Sequence, residues 1–170
     1  MASNKPVSPM RNVHRALLRA LVTVVALYGI FGWVLGLTVA QNDDMYPRID
    51  AGDLLLYYRL DRDVRAQDVV VLKKDGATRI GRVVAVGGDT VEIAGDGTLT
   101  VNGATMVERN IFTPTPAYAG PVTYPLMLEP GACFVLCDHR DGGEDSRVYG
   151  PVRASELLGT VVTVIRRHNL

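Results

Sequence analysis

From Ala20 to Ala40 the chain carries no charged residue, and past Asp43 that uniformity gives way to short apolar runs broken by turn residues. The run is apolar on every helical face (Leu21, Val22, Val24, Val25, Leu27, Ile30, Phe31). At 1.5 Å per residue its 21 positions reach about 31 Å, the thickness of a bilayer core. A membrane-spanning helix over 20–40 is expected, since a cleavable secretion signal has a shorter core.

The remainder predicts a mainly β domain over 41–170. Strands are expected at Asp53–Arg59, Asp68–Lys74, Thr78–Val86, Thr90–Ile93, Thr98–Val101, Ala132–Cys137 and near Thr160–Arg166. Asp75-Gly76 and Asn102-Gly103 read as hairpin turns. Four prolines (Pro114, Pro116, Pro121, Pro125) mark residues 109–125 as an irregular excursion, and one helical turn is expected at Ala154–Leu158. The run Leu54–Tyr58 breaks alternation; it reads either as a strand buried on both faces or as a patch against the membrane.

Charge adds an orientation. Lys5, Arg11, Arg15 and Arg19 precede the apolar run with no acid among them, and Asp43 and Asp44 follow it. The positive-inside rule then places a basic segment, 1–19, in the cytoplasm and 41–170 outside, a single-pass cell-membrane arrangement. With four of the 18 basic residues inside, 14 face 18 acids outside, a net of −4. That balance gives no electrostatic case for nucleic acid. Cys133 and Cys137 lie on one face of an expected strand, about 13 Å apart and too far for a disulfide. With His139 they form an extended Cys-x3-Cys-x-His that does not converge on a metal, so buried thiols are the expectation. No metal or cofactor is expected.

Four boxes in order carry a resemblance. They are Asp44-Met45-Tyr46-Pro47, then Ala51-Gly52-Asp53 with the strand after it, then Arg79 to Val91 (RIGRVVAVGGDTV), and finally Asp138-His139-Arg140-Asp141 continuing to Asp145-Ser146-Arg147. Together they resemble type I signal peptidases, and Thr98 to Gly103 is similar to the family's strand and Asn-Gly turn. The resemblance implies a curved, barrel-like antiparallel β domain behind a membrane anchor. It also implies a groove that receives an extended peptide, formed here by Asp44, Met45, Tyr46, Pro47, Leu56, Tyr58 and Arg82. Asp138, Arg140, Asp145, Ser146 and Arg147 would hold the last loop.

The departures fall on chemistry. Asp44 stands where the family has its nucleophilic serine, Gly81 where it has the general-base lysine, and Gly143 where a serine orients that lysine. The outer domain contains two serines, Ser146 and Ser155, and two lysines, Lys73 and Lys74, so no shift of register restores a pair. A guanidinium cannot replace the base, and His139 and His168 are far from the Gly81 box. The lysine's replacement by glycine is expected to open room beside Asp44 for backbone or another chain, with the two Cα atoms roughly 6–9 Å apart. Two functions stay open. One is a non-catalytic chaperone or scaffold for secreted proteins, by resemblance to degenerate family members beside pili of Gram-positive bacteria, with pilin-like subunits and membrane lipid as partners. The other is a peptidase in which Asp44 works with Asp43, Asp138, Asp141 or Asp145 as a carboxylate pair.

Overall fold

The computed structural model describes residues 9–108, 111, 113–120 and 122–166. Helix α1 (Pro9–Gly29) runs into a π-helical turn, Ile30–Val34. The stretch Met10–Val34 is long and apolar enough to cross a membrane, and none of it is buried in the protein. The helix therefore differs from the one expected over 20–40. It begins earlier and carries Arg11, Arg15 and Arg19, four apart on one face, whose long side chains can reach a membrane surface. It also ends earlier, because Leu35–Val39 is strand β1. The last apolar residues answer to a sheet and not to a bilayer: Leu35 to Val39 pair with Tyr58 to Leu54 of β2 (Leu54–Tyr58).

The other strands are β3 (Val69–Lys74), β4 (Ala77–Val86), β5 (Thr90–Ile93), β6 (Leu99–Val101), β7 (Ala104–Thr105), β8 (Leu126–Met127), β9 (Ala132–Leu136), β10 (Val152–Arg153) and β11 (Leu157–Ile165). They form a seven-stranded sheet, β1-β2-β11-β3-β4-β9-β10, and a four-stranded one, β7-β6-β5-β8. All pairings are antiparallel. The order is linear, so the large sheet is open and not a closed barrel. Asp75 and Gly76 both take positive φ (51° and 80°), the twist a two-residue hairpin needs, and they join β3 to β4.

Among the described residues three apolar clusters fill the interior. Val84, Val91, Leu99, Phe134 and Leu136 join the two sheets. Val70, Leu72, Val83, Val135 and Leu157 pack on the other face of the large sheet. Ala40, Met45, Ile49 and Leu55 form the third. The expected helical turn at Ala154–Leu158 is a plain turn followed by β11, since Leu157 is needed opposite Leu72. The short helix instead is α2 (Ser146–Tyr149), where Asp145 accepts the Arg147 N–H as an N-cap. The described part of the Pro-rich excursion is irregular.

Candidate functional site

Asp44 is placed by its neighbours. Met45 and Ile49 close a tight turn (Ile49 N–H to Met45 C=O, 3.0 Å) and both side chains are buried in the third cluster. That fixes the residue before them at the rim. The Asp44 carbonyl accepts the His139 N–H at 2.9 Å, which ties the turn to the last loop. Its carboxylate accepts from Asn42 Nδ2 at 2.7 Å. Burial raises its pKa above the ordinary 3.8, repulsion from Asp145 adds to that, and Asn42, Arg79 and His139 oppose it.

β4 supplies the facing wall. Its residues from Arg82 onward pair with β9, whereas Ala77–Gly81 pair only with β3. β1 is an edge strand of the same sheet. These two unpaired edges line one slot of about 120 Å³, with Thr38, Val39 and Asp44 on one side and Ala77–Ile80 on the other. Three strands separate β1 from β4 in the sheet order, so the sheet curls to bring them together.

Arg79 reaches Glu144 at 2.6 Å and lies over the Tyr149 ring at 5.4 Å. Gly81 follows on the same face of β4, but the space in front of it is taken. A Cβ built there would overlap Val135 Cγ1 and stand 3.3 Å from the Leu136 carbonyl oxygen. Gly143 is closed likewise: a Cβ would meet Cys137 Cβ and Sγ at 2.8 Å. The expectation that Gly81 opens room beside Asp44 is therefore corrected. Val135 and Cys137, two apart on β9 and the residues after it, fill both positions.

The slot includes Asp44 but not the other residues expected in the groove. Met45 is core, and Tyr46 is exposed beside Pro47. Leu56 and Tyr58 lie on β2, whose two edges are already occupied by β1 and β11. Arg82 points to the opposite face of β4 from Gly81, as strand alternation requires, and is buried on Asp138 (Nε to Oδ1, 2.7 Å) and the Gln67 carbonyl. Sequence reasoning missed the eight other lining residues: Arg79, Asn42 and Thr78, and with them Thr38, Val39, Gln41, Ala77 and Ile80. Alternation from Gly81 places Arg79 on the same face and was the available signal.

The loop residues are buried and bonded. Arg140 donates to the Cys137 carbonyl, Thr115 Oγ1 and Glu108 Oε1 at 2.6–2.7 Å. Arg147 holds Asp145 through Nε and Nη2 and stacks on Tyr118 at 4.2 Å. Ser146 Oγ accepts the Val135 N–H, which commits this serine to the fold. Lys74 is bound to Glu156. Asp43 accepts from Ala51 N–H, Asp138 is held by Arg82, and Asp145 by Arg147 and the Cys137 N–H. The hydrogen bond that the Asp44 carboxylate accepts thus comes from the Asn42 amide, and Asp43, Asp138 and Asp145 are each held by other groups. Both cysteines are free and buried. Among the described residues no three His, Cys, Asp or Glu side chains group as metal ligands. His168 lies outside the described residues.

Against known proteins, the profile described as "Signal peptidase, peptidase S26" matches residues 13–166. A signal peptidase I of Bacillus caldolyticus is 31% identical over 157 residues, covering 82% of this chain and 83% of that protein. A signal peptidase I of Mycobacterium tuberculosis (strain CDC 1551 / Oshkosh) is 36% identical over 92 residues, 48% of this chain and 31% of the relative. The match thus spans under a third of that relative's length. The crystal structure of a signal peptidase I from Enterococcus faecalis V583 superposes with a TM-score of 0.50 at 25% identity, covering 59% of this chain and 97% of that one. The chain belongs to the signal peptidase (peptidase S26) family, with the mainly β architecture its sequence predicts and an apolar N-terminal helix that suggests a membrane anchor.

Proposed function

We propose that this protein is a membrane-anchored, non-cleaving signal peptidase homologue. It holds extended segments of secreted proteins, pilin-like subunits among them, on the outer face of the membrane with its N-terminus in the cytoplasm. The observation that carries this reading is the slot between the free edges of β1 and β4, which presents Asp44 and Arg79 and neither serine nor lysine. Strand addition needs backbone edges and side-chain pockets but no nucleophile. Acyl transfer needs an attacking oxygen and a base to take its proton, and a carboxylate facing a guanidinium supplies no such pair.

The test incubates the full chain in detergent with a secretory pre-protein and with a pilin-like subunit, beside an active signal peptidase. Wild type and Asp44→Ser should both leave the pre-protein intact, while wild type cross-links to the subunit through the slot. Specific cleavage by wild type that disappears in Asp44→Ala would overturn the reading in favour of carboxylate chemistry. Absence of cross-linking at β1 and β4 would remove the binding role.

A further inference from the structure

Four arginines of the β domain each hold a carboxylate: Arg79 pairs with Glu144, Arg82 with Asp138, Arg140 with Glu108 and Arg147 with Asp145. Asp44 has no ion-pair partner among the described residues. Its carboxylate accepts from the Asn42 side chain, a neutral amide, at 2.7 Å. Arg79 and His139 lie close enough to attract it, yet burial outweighs them and holds its pKa above 3.8. Arg79 is committed elsewhere, to Glu144 at 2.6 Å and to the face of Tyr149 at 5.4 Å. His139 is exposed, and the hydrogen bond it gives Asp44 is a backbone N–H accepted by the carbonyl.

Asp44 and Arg79 are the charged residues that line the slot between β1 and β4. The rest of the lining is apolar or, at Thr38, Gln41, Asn42 and Thr78, polar and neutral. With Arg79 balanced by Glu144, a space of about 120 Å³ carries one negative charge that has no counter-charge. The adjacent acid, Asp43, is exposed and turned to the Ala51 N–H, so its field has the same sign. A carboxylate partly withdrawn from water attracts a cation more strongly than one in bulk solvent, because the effective dielectric is lower.

We propose that the slot selects an extended segment bearing a lysine, whose ammonium pairs with Asp44 while its backbone adds to the free edges of β1 and β4. This rests on the reading of the slot as a non-cleaving peptide site and adds to it which segment is held. Each edge, Leu35–Val39 and 77–81, is about 16 Å long, the length of an ordinary strand. A peptide backbone supplies the hydrogen bonds that these edges lack, whereas a lipid bearing an ammonium supplies the charge and no strand. An ammonium has three N–H donors. Asp44 takes one, and the side-chain oxygens of Thr38, Gln41 and Thr78 line the same space as acceptors for the others. Glutamate or aspartate at that point of the segment is repelled, and a neutral side chain leaves the carboxylate desolvated without a partner.

The probe is an N-acetylated heptapeptide, Thr-Val-Thr-Lys-Thr-Val-Thr, labelled with fluorescein at its C-terminus and titrated against the full chain in neutral detergent. Two counterparts carry norleucine or glutamate in place of the lysine. The lysine peptide should bind about tenfold tighter than the norleucine peptide, with the glutamate peptide weakest. Asp44→Asn replaces the charge by an amide of the same shape, and should bring the lysine peptide down to the norleucine level. The norleucine peptide should bind wild type and Asp44→Asn alike, which shows that the variant's slot is intact. Amide exchange at 77–80 should slow when the lysine peptide is bound. Equal binding of the lysine and norleucine peptides, with that slowing, overturns the lysine preference and leaves the slot a peptide site. A lysine preference that survives Asp44→Asn overturns it as well, because another acid is then the partner. Binding of none of the three peptides removes the peptide site and this inference together. Displacement of the lysine peptide by phosphatidylethanolamine vesicles, but not by phosphatidylcholine vesicles, makes the occupant a lipid ammonium and overturns the proposal too.

Discussion

Gly81 and Val135 should be energetically coupled, and a double-mutant cycle measures by how much. In Gly81→Ala the new methyl overlaps Val135 Cγ1 and lies 3.3 Å from the Leu136 carbonyl, a backbone atom that cannot swing aside. Overpacking of a fitted core costs about 1–3 kcal/mol, and loss of glycine's freedom in the unfolded chain returns about 0.4–1 kcal/mol, so a net loss of roughly 1–2 kcal/mol is expected. Val135→Ala removes two buried methyl groups at about 0.8 kcal/mol each and leaves a small cavity, together roughly 2 kcal/mol. In the double variant the methyl added at position 81 occupies space that the valine side chain has vacated. The combined loss should therefore fall short of the sum by about 1–2 kcal/mol. Thermal unfolding of the full chain in detergent, followed by near-ultraviolet circular dichroism, resolves this at roughly 4 °C per kcal/mol. A neutral or stabilising Gly81→Ala, or additivity within about 0.5 kcal/mol, would refute the claim that Val135 fills the space in front of Gly81. The same cycle decides how a lysine could be tested there. Gly81→Lys needs Val135→Ala beside it before an absence of cleavage can be assigned to chemistry rather than to packing.

Removing Arg140, by Arg140→Met, strands Glu108 and Thr115 in the interior and should cost about 3–5 kcal/mol, measured by the same unfolding assay. Asp44→Asn should stabilise the protein at neutral pH. The folded carboxyl has a raised pKa, so the native state binds more protons than the unfolded one and stability falls as pH climbs from about 3.8 through the folded value. The advantage of Asp44→Asn over wild type should therefore vanish as pH is lowered to 3.8 and grow above it; an advantage independent of pH would contradict the assignment. Burial pushes the Cys133 thiol up to about 12 and Cys137 higher still. Neither should react with iodoacetamide at pH 8 before unfolding, and modification of both at native rates would show that the β9 face is open.

The turn chemistry and strand runs were legible because they are local. Asp75-Gly76 and Asn102-Gly103 both adopt the positive φ pair their composition suggests, and the run expected over 78–86 is strand β4. β1 was hidden because Leu35–Val39 is equally apolar whether a bilayer or β2 covers it, and hydropathy carries no information about the cover. Leu56 and Tyr58 fall outside the slot for a different reason. Period two fixes which residues share a face, but not which strand lies alongside, and here β11 returns from the far end of the sequence to occupy the edge of β2. α2 was missed because four residues are too few to show a helical period; only Asp145 as an N-cap signals it.

A glycine in a sequence reads as empty space, yet Gly81 and Gly143 both face full space. An ammonium left without its partner in this interior would cost several kcal/mol, while an aliphatic side chain in the same volume is stabilising. Val135 and Cys137 fill the space in front of Gly81 and Gly143, and both come from one face of one segment, so the two positions are closed together. Ser146 reinforces this by accepting the Val135 N–H from behind. Larger side chains at 81 and 143 therefore require changes at 135 and 137. Within one chain these four residues are mutually consistent for packing, which is the condition for a single stable arrangement. The slot between β1 and β4 is untouched by that closure, because it is made of backbone edges and needs neither residue 81 nor residue 143 to remain open.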